Sequence, residues 1–288
     1  MTTWSPDTLL ASFECTIIEL PSASVYANEA EGSLCATLVR RNPPRRRRAL
    51  LYIHGWSDYF FQAHLADQMD ALGYDFYALD LRRYGRSLRE GQLAGFVTDL
   101  SAYHTEIDEA VTIISDEGHD ELVVMGHSTG GLIAALWADE SPGRATALVL
   151  NSPWLELQGY PAVRPALLPM FSAARSLSPT SVLPLSETGF YRRCISSTED
   201  GAWDYNLNLK GDKAFAVRVG WLAAIMQGHA KVAAGLTIDA PVEVLISDRS
   251  DFRRKWSEEL RRADVVLDVE TLASRTANLG RHTTLVRI

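Results

Sequence analysis

Cysteine is scarce in this chain. Three residues in 288, Cys15, Cys35 and Cys194, form an odd and widely spaced set. That excludes a disulfide framework and a cysteine-paired zinc site, and the expectation is three free thiols in a reducing, cytoplasmic setting. A Cys15–Cys35 bridge between two N-terminal strands is the alternative. Long apolar runs are also missing. No window reaches roughly 18 uncharged apolar residues, the length a membrane-spanning helix needs. The first nineteen residues carry Asp7 and Glu14 and no apolar stretch of signal-peptide length. Basic charge is in deficit, with 28 Lys and Arg against 36 Asp and Glu. A net charge of -8 argues against nucleic acid as a partner, because such surfaces must be basic. There is no internal repeat and no low-complexity segment.

What is present suits one large domain. Hydrophobic residues make up 47% of the chain, enough for a single α/β core with an insertion. Strand patterns fall at Glu14–Leu20, Leu34–Arg40, Ala49–Ile53, Asp75–Asp80, Leu122–Met125, Ala147–Asn151, Val242–Ser247 and Thr283–Ile288. Helical spacing appears in Phe61, Leu65, Met69 and Leu72 ahead of Gly73, and in Leu100, Tyr103, Ile107, Val111 and Ile114. Strands alternating with helices predict a mainly parallel sheet covered on both faces. The run Arg40–Arg48 reads as a solvated loop between strands rather than an anion-binding patch, since its two prolines favour a turn. The alternation stops after Asn151. The next stretch carries Pro153, Pro161, Pro165, Pro169, Pro179 and Pro184, then a helical run at Phe215–Ala234. Residues 152–239 therefore read as a cap inserted into a core of residues 1–151 and 240–288. Insertions at the carboxyl ends of strands build the binding sites of open α/β sheets.

The segment Glu121–Gly131 reads E-L-V-V-M-G-H-S-T-G-G. An apolar strand, G-x-S-x-G and a helical pattern follow one another, the context of a nucleophile elbow. Gly126 and Gly130 would let strand and helix pass closely, and Ser128 would be the nucleophile. A serine hydroxyl attacks only when a base takes its proton and N–H donors hold the oxyanion.

Three motifs in order, His54-Gly55-Trp56, Leu79-Asp80-Leu81-Arg82-Arg83-Tyr84-Gly85-Arg86-Ser87 and Gly126–Gly131, resemble the α/β-hydrolase fold family. The likeness is to its monoacylglycerol lipase-like, lysophospholipase-like branch of serine aminopeptidase S33 type. It covers residues 45–288, with Arg83-Tyr84 standing where the family usually has Gly-His. The resemblance implies an oxyanion hole from the Trp56 and Thr129 N–H groups, a structural His54, and His127 turned away from the nucleophile. It implies a triad acid after the seventh strand. Asp264, in Ala263–Val269, fits the family's acid segment, with Asp248 as the alternative and Asp251 also in range. The family's histidine follows the last strand, and no residue here matches it. His282 precedes that strand, and His64, His104, His119 and His229 read as surface or packing residues. The expectation is a shortened chain whose full form continues to the histidine. Loss of the triad is the alternative.

The expected activity is hydrolysis of a small-molecule carboxylic ester through an acyl-enzyme on Ser128. No cofactor or metal is needed, and the oligomeric state is left open. A lipid-like acyl group is implied by the resemblance, with Leu167, Leu168, Met170, Phe171, Trp221, Leu222, Ile225 and Met226 as candidates to line its pocket or to pack the cap. A small-residue aminopeptidase and an inactive binding protein of the same fold are the rivals.

Overall fold

A computed structural model of the chain describes residues 2–26, 29–30, 32–158, 164–184 and 188–288. Pro161 lies outside the described residues. The apolar alternation of the sequence becomes one mixed sheet. In chain order its strands are β1 (Ser5–Pro6), β2 (Glu14–Glu19), β3 (Cys35–Arg40), β4 (Arg48–Ile53), β5 (Asp75–Asp80), β6 (Glu121–His127), β7 (Ala147–Asn151), β8 (Val242–Ile246) and β9 (Thr283–Arg287). Their spatial order is β1-β2-β3-β5-β4-β6-β7-β8-β9. The first three run antiparallel, and every pair from β5 through β9 is parallel.

Both faces are covered, as a parallel sheet requires. Along β4, Ala49, Leu51 and Ile53 join the larger core cluster, while Leu50 and Tyr52 point to a smaller one on the opposite face. Helix α1 (Ala63–Ala71) packs Ala66 into the smaller cluster. Helices α2 (His104–Asp116) and α3 (Thr129–Glu140) enclose the larger one with Ile107, Val111, Leu132 and Leu136. Helix α2 starts later than its pattern suggests, because Leu100–Tyr103 winds as a 3₁₀ turn capped by the Asp99 side chain.

Between β7 and β8 the insertion contributes α4 (Arg164–Leu177), α5 (Phe190–Ile195) and α6 (Val219–Ala234). The prolines conceal α4: Pro165 sits in its first turn, where a missing N–H is harmless, and Pro169 lies on an exposed face. Helix α6 begins at Val219 rather than Phe215, since Arg218 is extended and bridges to Val182. Its inner face, including Trp221, Ala224, Ile225 and Val232, is part of the larger core. Met170 is 55% exposed. Helix α7 (Val269–Thr276) is capped by Asp268 and precedes β9.

The arginine-rich loop is held by acidic neighbours. Asp75 accepts the Arg45 and Arg46 amides at 2.6 and 2.9 Å, and Arg46 and Arg47 pair with Asp70 and Asp120. All three cysteines are free, and Cys15 faces Val39 in the β2–β3 register while Cys35 faces Glu19. Among the described residues, no helix is long and apolar enough to cross a membrane.

Candidate active site

The register of the central strands places the catalytic-looking segments together. Ile53 of β4 lies opposite Gly126 of β6, so the His54-Gly55-Trp56 loop leaves the sheet beside Ser128. Ser128 follows β6 directly at φ +53° and ψ -118°, a backbone state that strains any residue with a Cβ. The surroundings impose it. The Ser128 N–H donates to Asn151 O, and its carbonyl accepts from Gly131, Leu132 and Trp154, all at 3.0–3.3 Å. Gly126 and Gly130 permit the crossing of strand and helix. A Cβ on Gly126 would stand 2.5 Å from Gly130 O, and one on Gly130 would strike His54 O.

Ser128 thus stands at the N-terminus of α3, where the unpaired N–H groups of a helix gather. Thr129 is buried, and among the described residues neither its backbone N–H nor that of Trp56 finds an acceptor. Two orphan donors beside a strained serine form the arrangement that an oxyanion would satisfy.

Asp264 reaches the same end of the sheet by an excursion. The chain leaves β8, and residues 252–262 loop out before Asp264 returns to bridge Ser250. Its N–H donates to Arg249 O, and its carbonyl accepts from Asp251 N, both at 2.9 Å. One carboxylate oxygen accepts the Val266 and Leu267 amides at 2.8 and 2.6 Å. Burial raises the Asp264 carboxyl above the usual Asp range, and the Leu267 and Val266 amides it accepts draw it back in part. Asp248 is exposed, with its backbone tied to Ile288 and Arg287. Asp251 is engaged by Arg253. Of the three candidates, Asp264 is the one that is partly buried and without an ion pair among the described residues.

The histidines are occupied elsewhere. His54 donates from Nδ1 to Gly55 O at 2.8 Å, and its Nε2 accepts the Leu81 N–H at 3.1 Å. His127 donates from Nδ1 to Asn151 O at 3.2 Å, and burial lowers its pKa, leaving it neutral. His64 stacks on Trp203, His104 pairs with Glu140, His119 meets Tyr77, and His229 meets Trp154 O. His282 accepts the Val242 N–H through its carbonyl at the amino end of β9. Among the described residues, no histidine hydrogen-bonds Ser128.

The arginine-rich second motif is structural. Arg82 clasps Glu106, Arg83 clasps Glu29, and Arg86 joins Asp7 and Asp80, all with nearly buried side chains. Asp80 also accepts the Phe60 N–H at 2.8 Å, anchoring the far end of the loop that carries Trp56. Sequence reasoning did not find Asp58, which pairs with Lys210 of the insertion at 2.8 Å in a buried contact. A carboxylate two residues beyond the His-Gly-Trp motif was the only signal. Trp56, Trp154, Trp221, Phe215 and Tyr84 form one connected set of ring contacts. Trp221, Ile225 and Met226 are buried packing residues, and Leu222 is half-buried.

A family model described as serine aminopeptidase, S33 matches residues 44–249. A monoacylglycerol lipase of Mycolicibacterium smegmatis is 30% identical over 136 residues, which span 46% of this chain and 46% of that protein. The chain therefore aligns with under half the length of that relative. Among solved structures, a soluble variant of the Saccharomyces cerevisiae monoglyceride lipase superposes with a TM-score of 0.60 at 15% identity, covering 100% of this chain and 84% of the other. The Paleococcus ferrophilus monoacylglycerol lipase gives 0.59 at 17% identity, covering 84% and 85%. At such identities these likenesses establish the fold, that of the α/β-hydrolases.

Proposed function

The chain belongs to the serine aminopeptidase S33 family of α/β-hydrolases, and from that premise we propose that it hydrolyses carboxylic esters through an acyl-enzyme on Ser128. The observation that carries this reading is the strained Ser128 at a helix start beside the orphan Thr129 and Trp56 amides. Ser128 Oγ attacks the ester carbonyl, and the two N–H groups take the developing oxyanion. The alcohol leaves, and water then releases the acyl group. The Ser128 proton must pass to a general base and from it to the departing alcohol, and Asp264 is the carboxylate that would orient that base. We assign residues 152–239 to the cap, which sets Trp154, Phe215 and Trp221 in ring contact with one another or with Trp56, an apolar setting that suits an apolar acyl group. The named activity of the M. smegmatis relative supports an ester of monoacylglycerol type.

The second reading is a hydrolase-fold binding protein, favoured by the absence of any histidine bonded to Ser128 among the described residues. The two differ in magnitude. An oxyanion hole and binding alone leave roughly 10³–10⁴-fold acceleration over water, far below a complete triad. Treatment with a fluorophosphonate probe, beside a Ser128→Ala control, separates them. Labelling at Ser128 that the control lacks, with slow turnover of a short p-nitrophenyl ester at the level an oxyanion hole without a bonded histidine sustains, is the expected result. A folded protein that stays unlabelled and binds an ester analogue without consuming it would establish the binding reading instead.

A further inference from the structure

Four consecutive residues of the loop after β4 are fastened to the insertion. The Trp56 ring lies 3.7 Å from Trp221 and 5.7 Å from Phe215 by ring centroids. Ser57 Oγ accepts the Phe215 N–H at 3.2 Å. Asp58 accepts a proton of the Lys210 ammonium at 2.8 Å. The Tyr59 hydroxyl accepts the Asn206 N–H at 2.8 Å. The core holds the ends of this loop by hydrogen bonds, Leu81 N–H to His54 and Phe60 N–H to Asp80, and meets its middle through ring packing, Tyr84 against Trp56. Its middle sits in a state it would not adopt unaided, with Ser57 at φ +52°.

The Asp58–Lys210 pair is the strongest of these fastenings. Its side chains are 3% and 9% exposed. The rings of Phe61, Tyr191 and Tyr205 lie 5.4–5.6 Å from the ammonium. Burial opposes the Lys210 charge, and the Asp58 carboxylate overcomes it and holds the ammonium protonated. Lys210 therefore cannot take a proton from Ser128, and its use is mechanical.

We propose that residues 206–221 of the insertion set the geometry of the oxyanion loop, with Lys210 as a positioning residue that acts on the Trp56 N–H through Asp58. The oxyanion hole is then complete only while the insertion is seated on the loop. This rests on the ester-hydrolase reading of Ser128.

The test uses the whole chain as Lys210→Met, Lys210→Arg and the Asp58→Asn/Lys210→Met pair, the last leaving no unpaired buried charge. The readouts are the fluorophosphonate labelling rate at Ser128, kcat and KM for a short p-nitrophenyl ester, and hydrogen exchange of residues 54–61. Displacing one oxyanion donor lowers labelling and kcat about 10–100-fold in Lys210→Met and in the pair, somewhat less than removing a donor outright. KM stays within two-fold, Lys210→Arg recovers part of the loss, and exchange rises in 54–61 but not in β6 or α3. Labelling and kcat within two-fold of the parent, or unchanged loop exchange, overturn the proposal. An unlabelled parent defeats the hydrolase reading instead, and loop exchange then decides alone whether Lys210 positions the loop.

Discussion

Gly55 offers the most direct probe of the elbow. A Cβ added there would stand 3.1 Å from the Ser128 Cβ and 3.4 Å from both Cδ2 and the carbonyl oxygen of His127. Carbon atoms pack best at roughly 3.5–4.0 Å, so Gly55→Ala must open about half an ångström between the two loops. The backbone itself accepts alanine, for Gly55 is not among the residues at positive φ. The elbow cannot easily retreat, because its amide and carbonyl make four hydrogen bonds. The Trp56 loop or the Ser128 side chain must therefore yield. Overpacking of this kind costs about 1 kcal/mol or slightly more, which lowers Tm by roughly 2–4 °C. A misplacement of 1 Å at reacting atoms costs about 100-fold, so half that distance costs about ten-fold. The assay is the fluorophosphonate labelling rate at Ser128 beside a thermal melt. Parental labelling with an unmoved Tm would falsify the claim that Gly55 packs against the nucleophile.

Three further outcomes follow from buried charge. Glu106→Met leaves Arg82 buried without its carboxylate and lowers stability by about 3–5 kcal/mol in urea unfolding, whereas the Arg82→Met/Glu106→Met pair recovers most of it; equal losses in single and double variants refute the pairing. Asp264 has a folded pKa raised by burial, so its ionised form is disfavoured in the fold. Its stabilising contribution is present below the ordinary Asp pKa and lost as pH rises through the raised value, so Asp264→Asn melts above the parent at pH 7–8 and the gap closes below about pH 4. The same substitution is expected to abolish most turnover, while Asp248→Asn leaves both melt and turnover unchanged; a loss confined to Asp248→Asn would move the acid to that residue.

The sheet was legible because its signal is local. Runs such as Ala49–Ile53 and Leu122–Met125 are apolar on both faces, and only strands buried in a covered parallel sheet need that. The elbow was legible for a similar reason, since Gly126, Ser128 and Gly130 answer a backbone constraint within five residues. The insertion was not. Its α4 carries two prolines, and Arg218 stops α6 short of Phe215 by pairing with Val182. Asp264 was reachable only as a likeness, because its return to β8 depends on hydrogen bonds to Arg249 and Asp251 across a thirteen-residue gap or more. The Asp58–Lys210 contact joins positions 152 residues apart, and no local pattern marks either partner.

Backbone strain points to the same region as the side chains. Of the five non-glycine residues at positive φ among the described residues, three are serines beyond the carboxyl ends of neighbouring strands: Ser57 after β4, Ser128 after β6 and Ser152 after β7. Each such conformation costs about 1–3 kcal/mol against a total stability of roughly 5–15. Each is held by a specific partner. Ser57 Oγ accepts from Phe215, the Ser128 carbonyl accepts three amides, and the Ser152 N–H donates to Leu245 O at 2.7 Å. Glycine at Ser152 would relieve the strain without losing that backbone bond. A fold that served only to pack a core would have no use for strain at these strand ends. Strain concentrated at three adjacent strand ends, beneath an insertion that grips one of them, is what a site must carry if its donors are to be aimed before a substrate arrives.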